Sequence, residues 1–301
     1  MEEDCMSVRM KAWTAATLVA ASAACMATEN GGSIYPHGAE NYMTGALPPP
    51  GLYGQVFASH YRADRLMDGD GNRVPVDFSV RASAIAPRIV WVPGQKFLGG
   101  DIVLHAIAPL VDLKVGVNGT AQSRSGLGDI TFGTGIGYHY SPEWHVVYAL
   151  DIYAPTGRYD RNDLANIGRN YWAVEPVIAI SRVKPDGLNL DFKAMWAINT
   201  RNRDTGYRSG QELHADYAVG WGVSPHWVAG VGGYLYKQIT DDKQEGQTLP
   251  GRRGQAFAIG PSVKYDSGKG WFLTLKWQKE LGVENRAAGD AFWLKAAFPL
   301  K

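Results

Sequence analysis

The most constraining feature of this chain is an alternation of apolar and polar residues with a period of two, which runs from Leu52 to the C-terminus. Successive side chains of a β-strand point to opposite faces, so this alternation predicts strands with one apolar and one polar face. The clearest example is the segment 188–200. One of its faces carries Leu188, Leu190, Phe192, Ala194, Trp196 and Ile198, and the other carries Asn189, Asp191, Lys193, Met195, Ala197 and Asn199. A chain patterned in this way is predicted to be all-β.

Segments of this kind number about 12, and an even count fits a closed antiparallel barrel in a bacterial outer membrane. They fall at 52–62, 77–92, 100–115, 127–140, 143–155, 170–182, 188–200, 211–223, 226–238, 255–266, 271–280 and 291–301. The longer polar connections between them are 62–76, 157–169, 200–210 and 239–253. Because short and long connections alternate in the second half, we expect the long ones to share one side of the membrane.

Aromatic residues separate this prediction from a soluble β-sandwich, whose strands also alternate. The chain contains 10 Trp and 15 Tyr, and 36 of its 301 residues are Gly. Several rings stand near the ends of predicted strands, where the interfacial girdles of membrane barrels lie. They are Tyr138, Tyr140, Trp144, Trp271 and Trp277. We therefore predict a closed antiparallel transmembrane β-barrel of about 12 strands, preceded by a signal peptide, with the sandwich as the alternative.

The first 27 residues have the composition of a bacterial export signal. Arg9 and Lys11 supply the positive start, and residues 12–24 form an uncharged apolar run. Cys25-Met26-Ala27 then places small residues at the positions that a signal peptidase recognises. An N-terminal core helix and a lipoprotein acylated at Cys25 are the alternatives. Export combined with a barrel pattern predicts a location in the outer membrane of a Gram-negative cell.

Three parts of the chain are predicted: a signal peptide at 1–27, an irregular segment rich in Pro and Gly at 28–50, and an outer-membrane barrel at 51–301. The middle segment is a candidate plug for the mouth or lumen of the barrel. Both cysteines, Cys5 and Cys25, precede the predicted cleavage site. The mature chain would therefore lack disulfides, catalytic thiols and cysteine-based metal sites.

Catalysis and nucleic-acid binding find little support in the sequence. The formal net charge is +1, which gives no basic footprint for nucleic acid. Among seven histidines, His214 alone lies on a charged polar face, between Glu212 and Asp216. A metal or acid–base role is one interpretation, and a hydrogen-bonded network inside the barrel is the favoured one. We predict no catalytic residue, metal or cofactor. The candidate lumen-lining residues are Glu175, Asp191, Lys193, Glu212, His214, Asp216, Lys264 and Lys276.

Four motifs in order along the chain resemble the meta-pathway phenol-degradation (MetA-like, also called SphA-like) outer-membrane family. The first is Ser125-Gly126-Leu127-Gly128-Asp129-Ile130, and the second runs from Asp151 through Pro155-Thr156-Gly157 to Asp160. The third is 166–172, and the last joins 260–265 to 280–293. The residues of these motifs that we interpret as structural are Gly126, Gly128, Asp129, Pro155, Thr156, Gly157, Tyr159, Asn170 and Tyr171. Pro299-Leu300-Lys301 departs from the terminal aromatic residue of barrels in general.

What the resemblance implies is passive, porin-like uptake of small hydrophobic or aromatic compounds, as a transporter associated with phenol degradation. The expected partners are outer-membrane lipid, the solute and the barrel-assembly machinery. Two alternatives from other classes remain. One is a non-conducting structural barrel whose interior is packed by pairs such as Asp191 with Lys193 and Glu212 with Lys276. The other is an outer-membrane lipid hydrolase, for which no Ser–His pair can be placed in the sequence.

Overall fold

The computed structural model describes residues 26–300. Within that range the chain forms a single turn of 3₁₀-helix at Glu29–Gly31 and then only β-strands. In chain order the strands are β1 (Gly51–Leu66), β2 (Phe78–Val92), β3 (Lys96–Phe97), β4 (Gly100–Ile107), β5 (Leu110–Val117), β6 (Thr120–Leu127), β7 (Ile130–His139), β8 (Trp144–Ala154), β9 (Ala173–Arg182), β10 (Leu188–Asn199), β11 (Tyr207–Arg208), β12 (Glu212–Ser224), β13 (Trp227–Gln238), β14 (Asp242–Gln244), β15 (Gln247–Leu249), β16 (Gln255–Asp266), β17 (Phe272–Glu284) and β18 (Ala287–Pro299).

Twelve antiparallel strands close into a barrel. β4 and β5 pair with β2 in one register, Ile107 opposite Arg88 and Leu110 opposite Ile85, so they form one strand with a break at 108–109. β6 and β7 likewise follow each other along the edge formed by β4 and β5. The first and last strands, β1 and β18, pair over their length and complete the closure. The predicted number of strands and the closed antiparallel barrel are thus confirmed.

Burial along the strands is inverted relative to a water-soluble protein. On β10, Phe192 and Trp196 are 41% and 40% exposed, whereas the charged side chains of Asp191 and Lys193 on either side of Phe192 are buried. Exposed apolar residues facing outward and buried charges facing inward are what a barrel in lipid requires. A soluble sandwich buries its apolar face between two sheets, so that alternative is wrong.

Some predicted strand bounds were too short at the end with the long loops. The fourth transmembrane strand begins at Thr120 on β6 rather than at residue 127, β1 reaches Leu66, and β18 begins at Ala287 rather than at 291. In these stretches the strands project beyond the apolar belt, and their outward positions carry no large apolar side chain, so the alternation fades. Two predicted loops, 200–210 and 239–253, contribute a small sheet of β11, β14 and β15.

Among the described residues, no helix has the length and apolar character needed to cross a membrane. The signal peptide predicted at 1–27, including Cys5 and Cys25, falls outside the described residues except for its last two positions.

Candidate functional site in the barrel lumen

Residues 28–47, called the inner segment below, run through the barrel from the long-loop end to the short-turn end. At the loop end, the backbone N–H of Thr28 donates to Asp242 of β14 over 3.1 Å. At the turn end, Leu47 packs against a cluster that contains Val92 and Val147. The chain then enters β1 at Gly51. The inner segment therefore spans the height of the lumen.

Asp216 of β12 is the principal acceptor in the middle of the inner segment. Its carboxylate accepts hydrogen bonds from the hydroxyl of Tyr35 at 2.6 Å and from the backbone N–H groups of Gly38 and Glu40 at 2.7 and 2.8 Å. Asp216 is 2% exposed, so these bonds replace the water that the carboxylate loses. Hydrogen bonds to an ionised acceptor are stronger than neutral ones. One wall residue thus binds three residues within the stretch 35–40 of the inner segment.

Glu40 joins the inner segment to the opposite wall through two cations, the buried Lys295 and the partly buried Arg88. Lys295 of β18 lies 2.8 Å from one carboxylate oxygen, and Arg88 of β2 lies 3.2 Å from the other. Lys276 of β17 donates to the backbone carbonyl of Glu40 over 2.7 Å. Because Glu40, Lys276 and Lys295 are buried, loss of one partner would leave an uncompensated charge.

Asp191 of β10 holds the part of the inner segment nearest to the turns. The backbone N–H of Thr44 donates to its carboxylate over 3.0 Å, and Ser181 of β9 donates to the same oxygen. Ser181 also accepts the backbone N–H of Gly45 at 2.7 Å. Side chains on two neighbouring strands therefore satisfy consecutive amides of the inner segment.

Glu29 anchors the loop end of the inner segment. Its carboxylate receives Asn202 at 2.8 Å, Thr205 at 2.6 Å and the hydroxyl of Tyr159 at 3.2 Å. Asp242 of the small loop sheet accepts a hydrogen bond from the backbone N–H of the preceding residue, Thr28. Burial raises the pKa of Asp242 despite the hydrogen bonds that it accepts. The long loops and the start of the inner segment therefore form one packed unit.

The inner segment forms no β-ladder with the barrel wall in the part of the chain that the structure describes. Its backbone turns repeatedly, with Met43 at φ 71° and Gly38 at φ 82°. A Cβ on Gly38 would lie 2.2 Å from the Gln278 amide, so the wall approaches the backbone closely there. The segment is thus held by side-chain acceptors and close packing rather than by strand pairing.

His214 belongs to a buried hydrogen-bonded network. Its Nε2 lies 3.1 Å from Glu175, which also receives the hydroxyl of Tyr153 at 3.0 Å. The ring of His214 stacks on Tyr35 and meets the edge of His37. Within residues 26–300, no group of three or more metal-ligating side chains is positioned to hold an ion. The geometry fits a packed interior around the inner segment.

All eight predicted lumen-lining residues are buried on the inner face of the barrel. Lys193 lies with its ammonium 5.0 Å from the ring of Tyr35, and Lys264 contacts Asp266 and the sulfur of Met43. Glu212 accepts from Asn199 at 3.1 Å. The expected pairs of Asp191 with Lys193 and of Glu212 with Lys276 are absent from residues 26–300, because these side chains bind the inner segment or other neighbours instead. Whether the eight residues line a transport path stays a prediction.

Residues of the first three motifs come together at the loop end. Asp129 receives the backbone N–H of Gly157 at 2.9 Å and that of Arg169 at 2.7 Å. Thr156 donates to the carbonyl of Gly128 and accepts the N–H of Ile130. The two ends of the loop 155–172 are thus bound to the break between β6 and β7.

The remaining motif residues pack the same loop. Asn170 donates to Asn202 and Asp204 at 2.9 Å each, and Tyr171 is buried. Ile167 covers Gly126, which has φ 149°. Pro155 ends β8 and turns the chain into the loop. These contacts fit the structural interpretation of the motifs, which remains a prediction.

Among the residues that hold the inner segment, sequence reasoning missed Glu29, Glu40, Arg88 and Lys295, as well as Ser181 and Asp242. Arg88 and Lys295 lie on the inner face by strand parity, and each interrupts an apolar stretch, which is a signal that the sequence contains. The two glutamates lie outside the strands, where no periodicity indicates which way a side chain points.

Comparison with known proteins identifies both sequence and fold relatives. Residues 63–296 match the family model described as "Putative MetA-pathway of phenol degradation". The crystal structure of the COG4313 outer membrane channel from Pseudomonas putida F1 is 20% identical with a TM-score of 0.72, over 88% of this chain and 99% of that chain. At that identity the likeness shows a shared barrel fold.

More distant structures include the translocator domain of the autotransporter NalP from Neisseria meningitidis, with 11% identity, a TM-score of 0.48 and coverage of 85% and 91%. The CymD monoaromatic hydrocarbon channel has 8% identity, a TM-score of 0.43 and coverage of 83% and 89%. No curated protein matches the sequence.

Proposed function

This chain belongs to the family described by the MetA pathway of phenol degradation, and from that membership we propose that it is a passive outer-membrane channel for small hydrophobic or aromatic compounds. The inner segment closes the channel in the state described here. The observation that carries the proposal is the way in which this segment is held. Side-chain carboxylates bind its amides one by one, so it can leave the lumen without breaking the barrel.

The barrel wall supports this proposal because it is independent of the inner segment. The twelve strands pair with each other around the full circumference, and closure between β1 and β18 involves residues of those strands alone. A segment that contributes no ladder hydrogen bonds can move while the ladder stays intact. The lumen that it vacates would be lined by the charged residues that hold it.

We propose that the transport is passive. The interior offers carboxylates, ammonium groups, histidines and tyrosines that bind the chain itself. We propose that solute moves down its own gradient when the inner segment is displaced. The second candidate is a non-conducting structural barrel, which the packed lumen also fits.

Proteoliposomes separate the two candidates. Purified protein is reconstituted into vesicles, and entry of phenol or toluene is followed by the fluorescence of an entrapped reporter. We expect entry faster than in protein-free vesicles, and faster still after the inner segment is weakened by substitution of Asp216. Equal rates in all three preparations, with no single-channel conductance, would support the structural barrel.

A further inference from the structure

A row of charged side chains crosses the outer face of the barrel near its loop end. It runs over five neighbouring strands, and each member stands directly opposite the next across the sheet. In order around the wall the members are Lys279, Asp290, Arg62, Arg81 and Lys114. Four cations and one carboxylate thus share a single level of the wall, called the basic row below.

The basic row stands at the upper edge of the lipid-facing belt. Its side chains point outward, opposite in parity to inward residues such as Tyr61, which donates to Glu280 inside the barrel. Trp277 on β17 and Phe292 on β18 occupy the next outward positions from the row toward the short turns. Their rings lie 6.5 Å apart. Long loops mark the outer surface of an outer-membrane barrel. The row therefore lies at the level of the lipid headgroups of the outer leaflet.

The row carries like charges in contact positions. Directly opposed residues on antiparallel strands have Cβ atoms about 4.5–5.5 Å apart, and like charges there are destabilising. Arg62 stands opposite Arg81, and Arg81 stands opposite Lys114 on its other side. Without a bound anion, this arrangement would be unfavourable.

The carboxylate within the row neutralises only one of these cations. Asp290 lies 3.2 Å from Arg62 and also receives the indole N–H of Trp277 at 3.2 Å. Within residues 26–300, Arg81, Lys114 and Lys279 take part in no ion pair. Asp112, which lies two residues from Lys114 on the same face of β5, accepts a hydrogen bond from Ser125 instead. Three cations at the headgroup level are thus free to bind a ligand.

We propose that the basic row is a binding site for a phosphate-bearing lipid of the outer leaflet. Arginine and lysine side chains are the usual partners of phosphate oxygens. The acyl chains of such a lipid would lie along the apolar belt below the row, which begins with Trp277 and Phe292 on β17 and β18. On β2 and β5 the belt begins one outward position lower, with Ile85 and Leu110, below the polar pair Ser83 and Asp112. An inorganic phosphate ion would make no such apolar contact. The row therefore selects a membrane-embedded ligand over a soluble one.

Native mass spectrometry of the detergent-solubilised protein tests this site with bisphosphorylated lipid A as the probe. The test variant is R81Q/K114Q/K279Q, which leaves the Arg62–Asp290 pair in place. We expect its affinity for the probe to fall by about tenfold or more, since three phosphate contacts are lost. A matched control, K96Q/K184Q/K269Q, removes the same charge at the turn end and should bind as the unsubstituted protein does.

Two further arms identify the ligand. Lipid A without its phosphates should bind with the reduced affinity of the test variant, and inorganic phosphate should not displace the probe. Equal binding by test variant and unsubstituted protein would overturn the proposal, as would an equal loss in the control. If the triple variant does not fold, R81Q alone provides the same comparison, and unchanged affinity there would also overturn it.

Discussion

The hydroxyl of Tyr35 donates a 2.6 Å hydrogen bond to Asp216, although the two residues are 181 positions apart in the chain. Two backbone amides of the same stretch donate to that carboxylate. Through this one contact the irregular segment that precedes the barrel is fixed to the inner face of β12. The state of the lumen therefore depends on a small number of side-chain acceptors.

Replacement of Asp216 with Asn is expected to raise the open probability of the channel. The amide keeps the shape of the carboxylate but removes its charge, and hydrogen bonds to a charged group contribute about 1.5–3 kcal/mol. Single-channel recording of D216N should show open events more often by about tenfold or more. D112N, an outward-facing substitution of the same kind, should record as the unsubstituted protein does. Silent recordings from both variants would contradict the expectation.

Replacement of Glu40 with Gln is expected to destabilise the protein, because Lys295 and Arg88 would lose their shared carboxylate. Breaking a buried ion pair costs about 3–5 kcal/mol. Urea unfolding in detergent micelles measures the change. The double variant E40Q/K295M also removes the lysine charge that E40Q leaves without a partner, so it should recover part of the lost stability. The changes in unfolding free energy caused by E40Q and by K295M should therefore not add. Strict additivity would show that the pair contributes no coupling.

Replacement of Gly168 with Ala is expected to loosen the loop 155–172. A Cβ at position 168 would lie 2.3 Å from the carbonyl oxygen of Gly157, so the two segments of the loop that contain these glycines must move apart. The hydrogen bonds that Asp129 receives from Gly157 and Arg169 would then lengthen. Limited proteolysis of intact cells should cut the variant within this loop faster than the unsubstituted protein. Identical cleavage patterns would count against a close-packed loop.

The attachment of the same loop to β6 is expected to depend on pH. Hydrogen bonds from Arg124 at 2.9 Å and from Gln122 at 2.6 Å lower the pKa of Asp163. A carboxyl pKa lowered in the folded state contributes stability above the unfolded value of about 3.9, and that contribution is lost as the pH falls through the folded value. The difference in thermal stability between the unsubstituted protein and D163N should be constant near neutral pH. It should disappear at lower pH, and a difference independent of pH would contradict this account.

The barrel could be predicted from the sequence because its cause is local. Asp191 and Lys193 alternate with Phe192 and Ala194, and in a strand that alternation alone places the charges on one face. The face that is apolar must then meet lipid or a core, and the predicted export signal with the aromatic residues favours lipid. The number of strands follows from counting such segments.

The arrangement of the lumen could not be predicted in the same way. Glu40 and Lys295 are 255 positions apart, and nothing in the pattern around Glu40 indicates that it lies inside the barrel. The hydrogen bonds of Asp129 with Gly157 and Arg169 join the first three family motifs in space. The sequence shows the order of these motifs along the chain but not that they contact one another. Periodicity defines which face a residue occupies, whereas the partners across a lumen depend on the path of an aperiodic segment.

Solute entry into vesicles with a locked inner segment tests the central claim most directly. The Thr44 hydroxyl and the Asp191 carboxylate lie 3.3 Å apart, so the pair T44C/D191C can form a disulfide between the inner segment and β10. The account predicts that phenol-like solutes enter proteoliposomes of the oxidised protein no faster than protein-free vesicles and enter faster after reduction, with no effect of reductant on the unsubstituted protein or on T44C alone. Equal entry in the oxidised and reduced states would show that the inner segment does not close the path.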